Sequence, residues 1–173
     1  MSLLTLAARC RRWRLSAALL VLLSPLAAWA TALQPGHAGH WTAPERDGEG
    51  WVLELLDADT ALLYWFTYDE AGRQRWLTAE GRIDAGGIDF DPVVLTTGGR
   101  FGPAFDPGQI VQQAVGRARL EFGDCRTGSL AFDVLGQQLT LPWERITSAM
   151  GLPCPGDAPP PADGRAGQSG SWF

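Results

Sequence analysis

The sequence predicts an all-β fold, an antiparallel meander of about seven or eight strands that closes fully or partly into a barrel. Between His37 and Leu152 the chain consists of short apolar runs separated by Gly- and Asp-containing turn signals. No stretch of this region has the spacing of an amphipathic helix. A barrel is favoured because closure removes exposed strand edges, and a β-sandwich is the alternative.

The first half of the domain is predicted to form four strands: Trp51–Leu56, Ala61–Tyr68, Gln74–Glu80 and Ile88–Leu95. Asp57–Thr60 and Asp69–Gly72 are predicted turns, because Asp side chains cap their own backbone and glycine accepts a positive φ angle. The second strand is apolar on both faces, so we expect it to be central.

The second half is predicted to form three strands: Ala114–Phe122, Leu130–Val134 and Leu139–Ile146. A long loop runs from Gly98 through Pro107, and a hairpin turn surrounds Gly136-Gln137. The strand Ala114–Phe122 alternates clearly, which predicts one face in solvent and one in the core. Its solvent-facing residues are Arg117, Arg119 and Glu121, and its inward residues are Ala118, Leu120 and Phe122.

The N-terminus has the features of an export signal. Arginines precede the apolar run Leu15–Leu26, and Ala28-Trp29-Ala30 is a small-x-small cleavage site before Thr31. An uncleaved membrane anchor is the alternative. We predict a periplasmic or extracellular protein, without stable membrane insertion after cleavage. The predicted divisions are a signal peptide (1–30), an N-terminal segment (31–38), a β-domain (39–152) and a Pro/Gly-rich flexible tail (153–173).

Charge limits the classes of partner. The signal carries four of the fourteen basic residues and none of the nineteen acids, so the mature chain has a formal charge of −9. Nucleic acids and anionic membranes require a basic surface. We therefore expect neither as a partner.

The two cysteines of the predicted mature chain, Cys125 and Cys154, predict one disulfide, because exported proteins fold under oxidising conditions. A free reactive thiol is the alternative. Beyond the second cysteine, the tail is poor in apolar residues and is predicted to be flexible. Its end, Ser169-Gly170-Ser171-Trp172-Phe173, is similar to Ala38–Thr42, which suggests the beginning of a truncated second repeat.

Three sequence motifs lie along the domain. The first motif comprises Gly39, Trp41, Pro44, Gly48 and Gly50. The second comprises Trp65, Phe66, Thr67, Tyr68, Asp69, Gly72 and Trp76. The third comprises Val115, Gly116, Leu120, Phe122 and Asp124. Together these motifs resemble an uncharacterised group of exported proteobacterial β-domains that often occur in tandem. The resemblance covers nearly all of Gly39–Ile146 and implies export and a shared fold, without an established activity.

A shorter likeness concerns the two ends of the domain. Two segments are similar to the opening and closing segments of calycin-type barrels: Gly39-His40-Trp41 and the late Trp143-Glu144-Arg145. In those barrels a late arginine covers the first tryptophan. The resemblance implies a cation–π contact between Arg145 and Trp41.

The aromatic residues are the best candidates for binding. They are too numerous to fill one face of a sheet, so one set is expected to line a second surface that takes an apolar ligand or a glycan. The candidate binding residues are Trp41, Trp51, Tyr64, Trp65, Tyr68, Trp76 and Arg145. The predicted function is an exported, non-catalytic binding or interaction module. The alternative is a structural or partner-binding repeat domain of an envelope protein.

Catalytic and metal sites are weakly indicated. Glu45, Asp47 and Glu49 lie in one short loop, and a carboxylate-dependent hydrolase or a calcium site is a minor alternative. The two histidines, His37 and His40, have no later partner histidine for a zinc site or a triad. We assign no catalytic residue, no metal ligand and no cofactor.

Overall fold

The computed structural model describes residues 33–147 and 152–155. The predicted signal peptide and most of the predicted tail, including the repeat-like end, lie outside these residues. The strands are β1 (Gly39–Thr42), β2 (Gly50–Leu55), β3 (Thr60–Tyr68), β4 (Gln74–Asp84), β5 (Gly87–Thr97), β6 (Val111–Phe122), β7 (Thr127–Val134) and β8 (Gln137–Arg145). Single 3-10 turns occur at Pro35–His37, Gly102–Ala104 and Pro107–Gln109.

The eight strands form a closed antiparallel barrel in which each strand pairs with its neighbours in sequence. Closure is made by β1 and β8, where Trp41 lies opposite Arg145 and Thr42 lies opposite Glu144. The predicted all-β meander barrel is therefore confirmed, and the sandwich alternative is not adopted. Within the described residues, no helix is long and apolar enough to cross a bilayer.

Aromatic side chains form much of the barrel interior. The indole rings of Trp41 and Trp143 stack with centroids 4.4 Å apart and planes inclined by 9°. Trp51 meets Trp143 edge to face at 6.2 Å, and Trp65 meets Phe132 edge to face at 4.8 Å. Gly81 leaves the space that Phe90 occupies, since a Cβ there would lie 2.4 Å from the Phe90 ring. The interior is thus a side-chain core rather than a lined void.

One end of the barrel, here called the closed end, is covered by the N-terminal segment. Trp41 Nε1 donates to the carbonyl of His37 at 3.0 Å. Cys125 and Cys154 form a disulfide there, with Cα atoms 5.7 Å apart, so the predicted pairing is confirmed. Gly36 packs directly on this bridge, because a Cβ at Gly36 would lie 3.0 Å from Cys125 Sγ and 2.6 Å from the carbonyl oxygen of Pro153.

The other end, here called the mouth, carries the connections β1–β2, β3–β4, β5–β6 and β7–β8, because connections of a meander alternate between the two ends. The β3–β4 connection is a tight turn in which Gly72 N–H donates to the Asp69 carbonyl at 2.9 Å. The alternation predicted for β6 is confirmed, with Ala118, Leu120 and Phe122 buried.

Candidate functional site

The aromatic residues of β3 divide between the two faces of the barrel wall. Trp65 lies opposite Trp51 of β2 and faces the interior, where it is 4% exposed. Its neighbour Phe66 lies opposite Trp76 of β4 and faces outward, where both rings are 49% exposed. Successive side chains of a strand point to opposite faces, which explains this division.

Three predicted binding residues belong to the interior. Trp41, Trp51 and Trp65 are each less than 5% exposed and pack on other aromatic rings. Trp51 and Trp65 have ring centroids 5.5 Å apart. In this conformation these rings offer no surface to a ligand, and their assignment to a binding site stays a prediction.

Glu49, at the mouth, is held by three partners. Its Oε1 accepts hydrogen bonds from Trp65 Nε1 at 2.9 Å and from Thr67 Oγ1 at 2.7 Å. Its Oε2 forms an ion pair with Arg46 Nε. The Glu49 side chain is only 7% exposed, whereas Glu45 is exposed. A carboxylate engaged in this way fixes the rim of the core, since buried charge requires paired, hydrogen-bonded surroundings.

The outer face of the β3–β4 hairpin carries the remaining candidates. We define the outer aromatic face as Phe66, Tyr68 and Trp76, which border a groove of about 670 Å³. Tyr68 is 44% exposed, and its hydroxyl donates to the Gly48 carbonyl at 3.0 Å. Tyr64 lines the base of the same groove and is 8% exposed.

The structure therefore groups only part of the predicted set, since Tyr64, Tyr68 and Trp76 share one surface. Phe66 belongs with them, although the sequence did not single it out as a binding residue. The sequence feature that could have identified Phe66 is the turn Asp69–Gly72. This turn sets the register of the hairpin and places Phe66 directly opposite Trp76.

Arg145 lies at the closed end, away from the outer aromatic face. Its Nη1 donates to the carbonyl of Gly36, and burial lowers its pKa. The ring that stacks on Trp41 is that of Trp143. The cation–π contact between Arg145 and Trp41 stays a prediction.

Comparison of the sequence and the fold with known protein families, with curated proteins and with solved structures gives no match. The geometry of the outer aromatic face is thus the main basis for a functional assignment. That geometry combines three half-exposed rings with the side-chain amide of Gln74 in one shallow groove.

Proposed function

We propose that this protein is an exported, non-catalytic binding module that holds a glycan against its outer aromatic face. The observation that carries the proposal is the pair Phe66 and Trp76, which lie opposite each other on hydrogen-bonded strands with half of each ring exposed. A rigid sheet presents such rings at little entropic cost. The apolar face of a sugar ring can stack on them.

The size and surroundings of the groove support a glycan over a large protein partner. Stable protein interfaces use roughly 20–30 residues a side, far more than this groove offers. Gln74 lines the groove, and its side-chain amide can donate hydrogen bonds to sugar hydroxyls and accept hydrogen bonds from them. The formal charge of −9 predicted for the mature chain favours neutral glycans over polyanionic ones.

Export is part of the proposal. The signal-like N-terminus and the disulfide between Cys125 and Cys154 support it, because disulfides persist in oxidising compartments. The net negative charge predicted for the mature chain argues against nucleic acid as a partner, because binding to phosphates requires a basic surface.

Calorimetric titration with neutral oligosaccharides, such as chitohexaose and cellohexaose, tests the proposal. We expect Trp76→Ala and Phe66→Ala to weaken binding at least about tenfold, equivalent to about 1.4 kcal/mol. Phe105→Ala is the matched control, because Phe105 is 59% exposed on the β5–β6 loop and lies outside the groove. Equal affinity in all three variants would rule out the outer aromatic face as the binding surface.

A second candidate function is a partner-binding domain of the cell envelope. The observation that favours it is the β5–β6 loop, on which Phe101 is completely exposed and Phe105 is 59% exposed. Exposed aromatic residues of this kind are enriched at protein interfaces. Loss of partner binding in Phe101→Ser, with Trp76→Ala unaffected, would favour this function over the first.

A further inference from the structure

A second cleft, of about 630 Å³, lies at the mouth between the β3–β4 hairpin and the β7–β8 turn. Its volume falls within the range of ligand pockets in proteins. The residues that matter here are Tyr68, Asp69, Arg73, Arg75 and Leu135. The cleft differs from the outer groove in its second wall, which comes from the opposite side of the barrel.

One wall holds two guanidinium groups around one carboxylate. Asp69 Oδ2 lies 2.8 Å from Arg73 Nε and 3.3 Å from Arg75 Nη2. Asp69 Oδ1 accepts the backbone N–H groups of Ala71 and Arg73, each at 2.9 Å. Hydrogen bonds from Arg73, first from its backbone and then from its side chain, lower the pKa of Asp69.

This trio carries a net positive charge when Asp69 is ionised. Each guanidinium uses a single nitrogen for Asp69, so most of its N–H donors lie outside the ion pair. Guanidinium groups bind carboxylates through such donors, often in pairs. Arg75 is more buried than Arg73, with 32% of its side chain exposed against 76%.

The opposite wall carries an unusual leucine. Leu135 stands in the β7–β8 turn with φ of 53°, a conformation that favours glycine, asparagine or aspartate. It is 43% exposed, so its side chain gains little from burial in the core. Residues in strained backbone conformations of this kind cluster at ligand sites.

We propose that the mouth cleft binds a small organic acid that has one carboxylate and one apolar group. Arg73 and Arg75 receive the carboxylate, and Leu135 and Tyr68 receive the apolar group. Glu70 also lines the cleft, and within the described residues it forms no ion pair with these arginines. Its charge opposes binding of the acid. This inference does not depend on glycan binding at the outer aromatic face.

The test is calorimetric titration of the purified full-chain protein with 4-phenylbutyrate and with its neutral amide. We expect a dissociation constant below about 1 mM for the acid and at least about tenfold weaker binding of the amide. Arg75→Gln and Arg73→Gln should each weaken acid binding, whereas Glu70→Gln should strengthen it. Trp76→Ala, on the outer aromatic face, should leave it unchanged.

Three results would overturn the proposal: no binding of the acid up to about 5 mM, equal binding of acid and amide, or unchanged affinity in both arginine variants. Thermal unfolding of each variant, followed by circular dichroism, establishes that it is folded. If Arg75→Gln fails to fold, Arg73→Gln decides the question, because the Arg73 side chain is 76% exposed.

Discussion

Phe66 and Trp76 face each other across β3 and β4 on the outside of the barrel, and each ring is 49% exposed. One residue earlier on β3, Trp65 faces the core opposite Trp51. Two aromatic surfaces of different character thus lie back to back on the same strand. The inner surface stabilises the barrel, and the outer one is available to a ligand.

This division predicts that two tryptophan substitutions change the free energy of unfolding by very different amounts. Trp51→Ala should lower the free energy of unfolding by about 3–5 kcal/mol, because it leaves a cavity between Trp65 and Trp143. Trp76→Ala should change it by less than about 1 kcal/mol, as expected for a surface site. Urea denaturation measures both values, and similar losses in the two variants would contradict the division.

The sequence predicted seven strands that correspond to β2–β8, but it predicted neither β1 as a strand nor this division. Alternation in β6 predicted which of its residues are buried, because polar and apolar side chains alternate there. β3 is apolar on both faces, so periodicity could not decide whether Trp65 or Phe66 enters the core. That choice depends on register and on barrel closure, since a shift of one residue exchanges the two faces.

Two contacts between distant segments were also beyond prediction from local pattern. Trp41 stacks on Trp143 only because β1 pairs with β8 to close the barrel. The mouth cleft joins Arg75 to Leu135, which come together through the same closure. The sequence did not indicate Leu135 as a candidate, because the feature that distinguishes it is its backbone conformation.

Glu49 is predicted to stabilise the mouth through its charge. Glu49→Gln should destabilise the protein by roughly 1–3 kcal/mol, because it removes the ion pair with Arg46 and weakens the hydrogen bonds from Trp65 and Thr67. Glu45→Gln is the control, since Glu45 is exposed. Equal unfolding midpoints for the two variants in urea would show that the Glu49 contacts add nothing.

The disulfide should contribute substantially to stability. Cys125 and Cys154 are 29 residues apart in sequence, and a loop of this length corresponds to about 3–4 kcal/mol in the chain-entropy model. Thermal melts should show that reduction of the wild-type protein and the Cys125→Ser/Cys154→Ser substitution cause the same loss of stability. Unchanged melting on full reduction, verified by mass spectrometry, would contradict this expectation.

His37 should make stability depend on pH near neutrality. It is fully buried at the closed end, where Gln34, Asp124 and Arg145 surround it, and burial lowers its pKa from the ordinary value of 6.5. The unfolded state then binds more protons than the folded state once the pH falls below about 6.5. Stability should therefore decline below that pH and level off below the pKa of the folded state.

Unfolding free energies measured between about pH 8 and pH 5 test this dependence. His37→Gln should flatten the dependence of the unfolding free energy on pH. His40→Gln should leave this dependence unchanged, because His40 is exposed. Asp84, whose pKa is lowered to about 2 by hydrogen bonds from Arg119, acts in a more acidic range. If the unfolding free energy changes with pH equally in wild type and in His37→Gln, a group other than His37 is responsible for the pH dependence.

The most direct test of the two-surface account is an NMR titration of the tryptophan indole N–H signals with chitohexaose, with Trp76 assigned from a Trp76→Phe variant. We predict that the Trp76 signal shifts on binding, while the signals of Trp41, Trp51, Trp65 and Trp143 keep their positions. Shifts confined to the interior indoles, with Trp76 unmoved, would contradict the account and place the ligand inside the barrel.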